Sequence, residues 1–261
     1  MTPETAAGID YVSTGEGPAV ICLHGIGADA TSFAHQMEAY PNHRVIAWNM
    51  PGYAGSKPLG TLTFTALSDR LEAFIQAMNL GAVHLMGQSI GGMVALEHAC
   101  RRPEQVQSLT LVATTPRFGG RDDTFKEAFL VARLGPLDAG QSMEDMARDT
   151  APALVGPLCS VAEIKRIEAA FARIPEETWR AILTCLVTFD RSADLNAVTV
   201  PTLVVAGSAD RNAPARTMEK MAAGMPDAAF HELQGAGHMV HQEMPDVFNA
   251  LVADFLNGIT K

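Results

Sequence analysis

The chain has 261 residues, 48% hydrophobic and 18% charged, which suits one large domain with a sizeable core, with or without an insertion. Its 19 basic against 29 acidic residues give a net charge of −10, which argues against a nucleic-acid or anionic-membrane partner and leaves a small molecule as the expected one. No apolar run reaches the ~18 residues of a membrane span, and Met1–Thr5 opens no basic-then-apolar leader, so a cytoplasmic protein is expected.

Strands and helices alternate from the first clear element. Pro18–Leu23 is a short apolar run ending in His24-Gly25, the pattern of a buried strand. Thr31–Tyr40 is expected to be a short helix, and Arg44–Trp48 a strand closed by the turn pair Pro51-Gly52. Leu67, Leu71, Phe74, Ile75 and Met78 recur at helical spacing. Ala82–Met86 then reads as a strand, a helix runs from Gly92 to about Cys100, and Val106–Ala113 is the next strand. Such alternation implies an α/β fold with a mostly parallel sheet wrapped by helices.

From Thr115 to Phe189 only helical patterns occur. Ser160-Val161-Ala162-Glu163 is a capping box before Ile164, Ile167 and Phe171, and Pro175 opens a helix carrying Trp179, Ile182, Leu183 and Leu186. The segment is too long for a loop. We therefore expect a core of residues 1–114 and 191–261 with a helical cap inserted at 115–190. Alternation resumes with a strand at Thr202–Ala206, a helix near Ala213–Met225, a strand at Ala228–Leu233 and a last amphipathic helix carrying Val247, Phe248, Leu251, Val252 and Phe255. Cys22, Cys100, Cys159 and Cys185 lie far apart in apolar stretches and read as reduced, buried thiols.

The strand–helix junction at Gly87-Gln88-Ser89-Ile90-Gly91 carries the chemistry. Glycine, any residue, serine, any residue, glycine between a strand and a helix is a nucleophile elbow, with the helix N-terminus aimed at a developing anion. A serine hydroxyl needs a base, and the base needs an orienting acid. His238, set among glycines in Gly235-Ala236-Gly237-His238 after the last strand, is the candidate base, with His241 as its rival. Asp210, after the strand ending Ala206-Gly207, is the candidate acid, with Asp190 and Asp194 as weaker rivals. The backbone N–H groups of Ile26 and Ile90 are the candidate oxyanion donors. Gln88, Phe129, Trp179, Leu183 and Met239, with the Ile26 and Ile90 side chains, are candidate pocket residues. Arg117, Arg133, Arg180 and Arg191 lie in or near the cap, where any could meet a substrate carboxylate or face solvent. Gly25-Ile26-Gly27-Ala28-Asp29-Ala30 also fits a loose dinucleotide pattern, but the next strand ends Trp48-Asn49 without the acid that ribose needs. No ligand set completes a metal site around His238 and His241.

With His24-Gly25-Ile26-Gly27, Pro51–Ser56, Gly87–Gly92, Gly207–Asp210 and Gly237–Pro245, the chain resembles the α/β-hydrolase family over nearly its whole length. The resemblance implies an α/β-hydrolase fold, a Ser89–His238–Asp210 triad, a cap over the site and no cofactor. Within the family the chain looks most like bacterial 3-oxoadipate enol-lactonases and, more loosely, hydrolases of ring-fission products. Asn49 and Ala54 depart from the aspartate and glycine usual there, which puts that loop's hydrogen bonding in question. A serine hydrolase of an ester, lactone or thioester is expected. The alternatives are carbon–carbon bond hydrolysis of vinylogous diketones, or a non-hydrolytic lyase, oxygenase or ligand-binding member of the fold.

Overall fold

The structure is a computed structural model and describes residues 2–119 and 123–259. Its strands are β1 (Glu4–Ala6), β2 (Ile9–Thr14), β3 (Ala19–Leu23), β4 (Arg44–Trp48), β5 (Val83–Gln88), β6 (Val106–Val112), β7 (Thr202–Gly207) and β8 (Ala228–Leu233). They form one sheet in the order β1-β2-β4-β3-β5-β6-β7-β8. The pairs β1–β2 and β2–β4 are antiparallel and all the others parallel, so the expected mostly parallel α/β architecture is present.

Side chains alternate between the two faces of the sheet, and each face builds its own core. Ile21, Leu23, Ile46, Trp48 and Leu85 pack with α1 (Phe64–Ala77) and α2 (Ile90–Arg101). Val20, Cys22, Val45, Ala47 and Met86 pack on the other face with Phe33, Met37 and Tyr40 and with α9 (Pro245–Ile259). From α9 come Phe248, Val252 and Leu256, all buried. Burying each of these large side chains contributes about 1.5–3 kcal/mol.

The register brings the functional loops together. Leu23 pairs with Gly87, Gln88 with Val112, Val112 with Val205, and Gly207 with Leu233. The C-terminal ends of β3, β5, β6, β7 and β8 are therefore level, and the loops after them open onto one edge, where sites in parallel sheets gather.

Three sequence expectations change. The pattern named no strand before Pro18, yet β1 and β2 form a hairpin, with Ile9 and Tyr11 buried at period two. Thr31–Tyr40 is not an α-helix. It is a 3₁₀ turn at Ala30–Phe33 followed by turns. Bonds such as Ala34 N–H to Thr31 and Gln36 N–H to Phe33 close over three residues, and the His35 carbonyl is taken by Asn249 Nδ2 at 2.8 Å. Tertiary anchoring thus wins over helical periodicity. Finally, Cys22 and Cys185 are buried thiols, but Cys100 and Cys159 are only half-buried.

Between β7 and β8 lies α7 (Ala215–Ala223), and between β6 and β7 lie α3 (Asp123–Asp138), α4 (Met143–Thr150), α5 (Val161–Ala172) and α6 (Glu176–Leu186). The chain enters and leaves this segment side by side. Phe118 N–H donates to Phe189 O at 3.0 Å and Arg191 N–H to Pro116 O at 2.8 Å. Arg191 also grips buried Glu97 of α2 with two bonds of 2.7 and 2.9 Å. On the other flank Arg173 reaches Asp29 at 2.6 Å, and Glu163 of α5 accepts from Gln242 Nε2 at 2.9 Å.

Candidate active site

Ser89 sits between β5 and α2 with φ 54° and ψ −122°. A residue with a Cβ is disfavoured there by roughly 1–3 kcal/mol, so the surroundings must hold it. They do. Its N–H donates to Val112 O at 2.9 Å, and its carbonyl accepts from Thr114 Oγ1 at 2.7 Å, Gly92 N–H at 2.9 Å and Met93 N–H at 3.1 Å. The flanking glycines are steric requirements: a Cβ on Gly87 would strike the Gly91 carbonyl, and one on Gly91 the Leu23 carbonyl. The helix whose N-terminus begins at Ile90 aligns its peptide dipoles behind the serine.

His238 stands between β8 and the short helix α8 (Val240–Glu243). Its Nδ1 lies 2.7 Å from Asp210 Oδ2, and both residues are buried. Asp210 Oδ1 accepts from the N–H groups of Asn212 at 2.7 Å and Ala213 at 3.1 Å. Burial alone would raise the Asp210 carboxyl. The His238 charge and hydrogen bond, with the two backbone donors, outweigh it and hold the group below the usual carboxylate range. An ionised Asp210 accepts a hydrogen bond from Nδ1–H, which leaves Nε2 as the ring nitrogen facing away from the carboxylate. Asp190 and Asp194 are engaged elsewhere, with Arg117 and Arg191.

The rival His241 lies in the core. It is fully buried, packs on Phe33 at 4.8 Å, and burial pushes its pKa down to about 3. It supports the core beneath the loop as a neutral aromatic ring.

The loop after β3 is locked by His24. Met50 N–H donates to His24 Nε2 at 2.9 Å, so the ring proton is on Nδ1 and donates to Gly25 O at 2.8 Å. Burial lowers the His24 pKa and keeps the ring neutral. Gly25 O also accepts from Ala28 N–H at 3.2 Å. With that carbonyl fixed, the trans peptide directs the Ile26 N–H the opposite way. Tyr53 Oη donates to Ile26 O at 2.8 Å and fixes the next peptide. The departures from the family pattern now have a reading. Asn49 Oδ1 accepts from Ala30 N–H, and its Nδ2 donates to Asp10 Oδ2, both at 2.8 Å. Ala54 holds φ 46° without a glycine.

A cavity of about 490 Å³ lies between the strand ends and the helices of the inserted segment. Ser89, His238 and Ile26 line it, as do all five expected pocket residues, Gln88, Phe129, Trp179, Leu183 and Met239. The Ile90 side chain does not. It points into the core as the first residue of α2, leaving its backbone N–H as its only candidate role. Gln88 does more than line the wall, because its Nε2 donates to His238 O at 3.0 Å. Among the described residues no group of His, Cys, Asp and Glu is arranged to hold a metal.

Sequence reasoning missed Glu243. Its carboxylate accepts from Gly156 N–H at 2.7 Å and from Gly237 and Met239 N–H at 3.0 Å. It thereby ties both flanks of His238 to the inserted segment, and His238 N–H adds a bond to Leu154 O at 2.7 Å. Burial raises the Glu243 pKa, outweighing the three donors that lower it. A glutamate shortly after a glycine-flanked histidine was the available signal.

A model of the alpha/beta hydrolase family matches residues 20–251. The chain is similar to RutD of Variovorax paradoxus (strain S110), provisionally named a carbamate hydrolase, at 31% identity over 256 residues and 94% of each chain. It is also similar to a 2-hydroxy-6-oxononadienedioate/2-hydroxy-6-oxononatrienedioate hydrolase of a Pseudomonas species, at 27% identity, covering 91% of this chain and 87% of that one. Among solved structures, the enol-lactonase of Burkholderia xenovorans LB400 is similar in fold, with a TM-score of 0.85 and 21% identity, covering 98% of this chain and all of that one.

Proposed function

The chain belongs to the alpha/beta hydrolase family, and from that premise we propose that it hydrolyses an ester, lactone or thioester bond of a small molecule through Ser89, His238 and Asp210. The observation that carries this reading is the 2.7 Å contact between His238 and Asp210 beside a cavity that Ser89 shares. His238 Nε2 takes the Ser89 proton as Oγ attacks the carbonyl carbon. The Ile26 and Ile90 N–H groups receive the oxyanion. The tetrahedral intermediate collapses as His238 returns the proton to the leaving group. Water, deprotonated by the same ring, then releases the acyl group from Ser89. Asp210 holds the ring in its productive tautomer and stabilises the imidazolium. Residues 115–190 act as a helical cap that supplies the apolar wall, and the substrate is compact with an apolar portion.

The similarity to the 2-hydroxy-6-oxononadienedioate/2-hydroxy-6-oxononatrienedioate hydrolase favours one second reading, carbon–carbon cleavage of a vinylogous diketone by the same groups. The deciding experiment is turnover of p-nitrophenyl butyrate by the intact protein and by Ser89→Ala, with mass spectrometry for an acyl group on Ser89. We expect turnover with an adduct, and a loss of roughly a thousandfold or more in the variant. Absence of both would refute acyl transfer from simple esters and make diketones the next substrates to assay.

A further inference from the structure

The cavity wall contains three arginines, Arg117, Arg133 and Arg211, and among the described residues no aspartate or glutamate. This polarity is opposite to that of the chain, whose net charge is −10. The three are not equivalent. Arg117 is neutralised by Asp190 at 3.3 Å, and Arg211 is exposed. Arg133 is half-buried on α3, its guanidinium 5.6 Å from the centre of the Phe129 ring, and no carboxylate among the described residues pairs with it. The other two arginines that the sequence offered for a substrate carboxylate are spoken for outside the cavity wall. Arg191 is held by Glu97 and Asp194, and Arg180 by Asp138 and Glu176.

A half-buried guanidinium has lost hydration that only an anion returns in full. Burial accordingly lowers the Arg133 pKa while leaving it a cation. Its planar fork matches a carboxylate with two parallel hydrogen bonds. The backbone beneath it is placed by Trp179, whose Nε1 lies 3.5 Å from Arg133 O.

We propose that Arg133 binds a carboxylate of the substrate, so that the compound cleaved at Ser89 is a compact monoester, lactone or thioester with a free acid at its other end. This rests on the hydrolase reading above and adds the substrate class. Arg133 is here a specificity-determining residue and takes no part in proton transfer.

The test uses two esters of one shape, mono-p-nitrophenyl glutarate and p-nitrophenyl 5-methylhexanoate, in which a dimethyl end replaces the carboxylate. The intact protein should favour the glutarate ester. In Arg133→Gln the ratio of kcat/KM between the two esters should fall roughly tenfold or more, mainly through KM. Arg133→Lys should recover part of it, and Arg180→Gln should retain the original ratio. A ratio unchanged in Arg133→Gln, equal losses for both esters, or no preference in the intact protein would overturn the proposal. If the intact protein cleaves neither ester, the hydrolase reading fails separately, and calorimetric binding of monoethyl glutarate decides. Weaker binding to Arg133→Gln than to the intact protein upholds the carboxylate site, and equal or absent binding sinks it.

Discussion

Replacing Glu243 by glutamine tests how the histidine loop is held. The three N–H donors divide between two oxygens: Gly156 uses Oε2, Met239 uses Oε1, and Gly237 lies 3.0 Å from both. An amide offers one oxygen and one NH₂. If its oxygen takes the Oε2 place, the NH₂ faces Met239 N–H. If it takes the Oε1 place, the NH₂ faces Gly156 N–H. Either way one backbone donor loses its acceptor and confronts another donor, at about 1–3 kcal/mol for the stranded group. Bonds that remain change from charge-assisted to neutral. Against this, the burial that raises the carboxyl pKa no longer opposes a charge. The net expectation for Glu243→Gln is a loss of about 2 kcal/mol, or a fall in Tm of about 4–8 °C for a chain of this size. Urea unfolding gives the stability, and amide hydrogen exchange gives the location. Gly237 should exchange faster, together with Gly156 or Met239. Glu243→Ala, which strands all three donors, should lose more than Glu243→Gln. A glutamine variant within about 0.5 kcal/mol of the parent, with exchange unchanged at those three amides, would refute the reasoning.

The remaining expectations concern the same edge of the sheet. Asn49→Asp would set a second carboxylate against Asp10, where Asn49 Nδ2 now lies 2.8 Å away. It should destabilise by about 1–2 kcal/mol at pH 7, with Asp10→Asn restoring most of the loss in a double variant. Denaturant titration of the four proteins checks this, and a neutral single variant contradicts it. Ala54→Gly should relieve the strain at φ 46°. A gain of about 0.5–1 kcal/mol is left once glycine's entropy is subtracted, readable as a small rise in Tm. Asp210 has its folded pKa below the unfolded value. Its contribution to stability is therefore full above about pH 4 and is lost as pH falls through the lower folded value. The stability gap between the parent and Asp210→Asn should close over that acidic window, and a gap independent of pH would contradict the assignment.

Much of this was written locally in the chain. Gly87, Gly91 and the serine between them are legible as an elbow because the pattern is local, although the carbonyl that demands a glycine at Gly91 belongs to Leu23 on β3. The β3 and β7 runs are nearly continuous apolar segments because parallel strands at the centre of a sheet are buried on both faces. The glycines around His238 marked a loop that must approach another backbone. Other features depend on partners distant in sequence. The Ile9–Thr14 strand escaped notice because its alternation is short and one side is half-buried. The segment 31–40 looked helical until Asn249 claimed the His35 carbonyl. His238 and His241 are both plausible bases in sequence, and the fold sets them apart by placing His238 against Asp210 in the cavity wall and His241 against Phe33 in the core. The same holds for the cap arginines. Their residue type is legible, but whether a guanidinium meets Glu97, Asp190 or an acid-free cavity is decided by tertiary packing. Backbone conformation and apolar periodicity are short-range properties, so sequence determined the fold and the serine-bearing turn between β5 and α2. Charge compensation and solvent exclusion are set by groups the fold brings together, and those only the tertiary structure could decide.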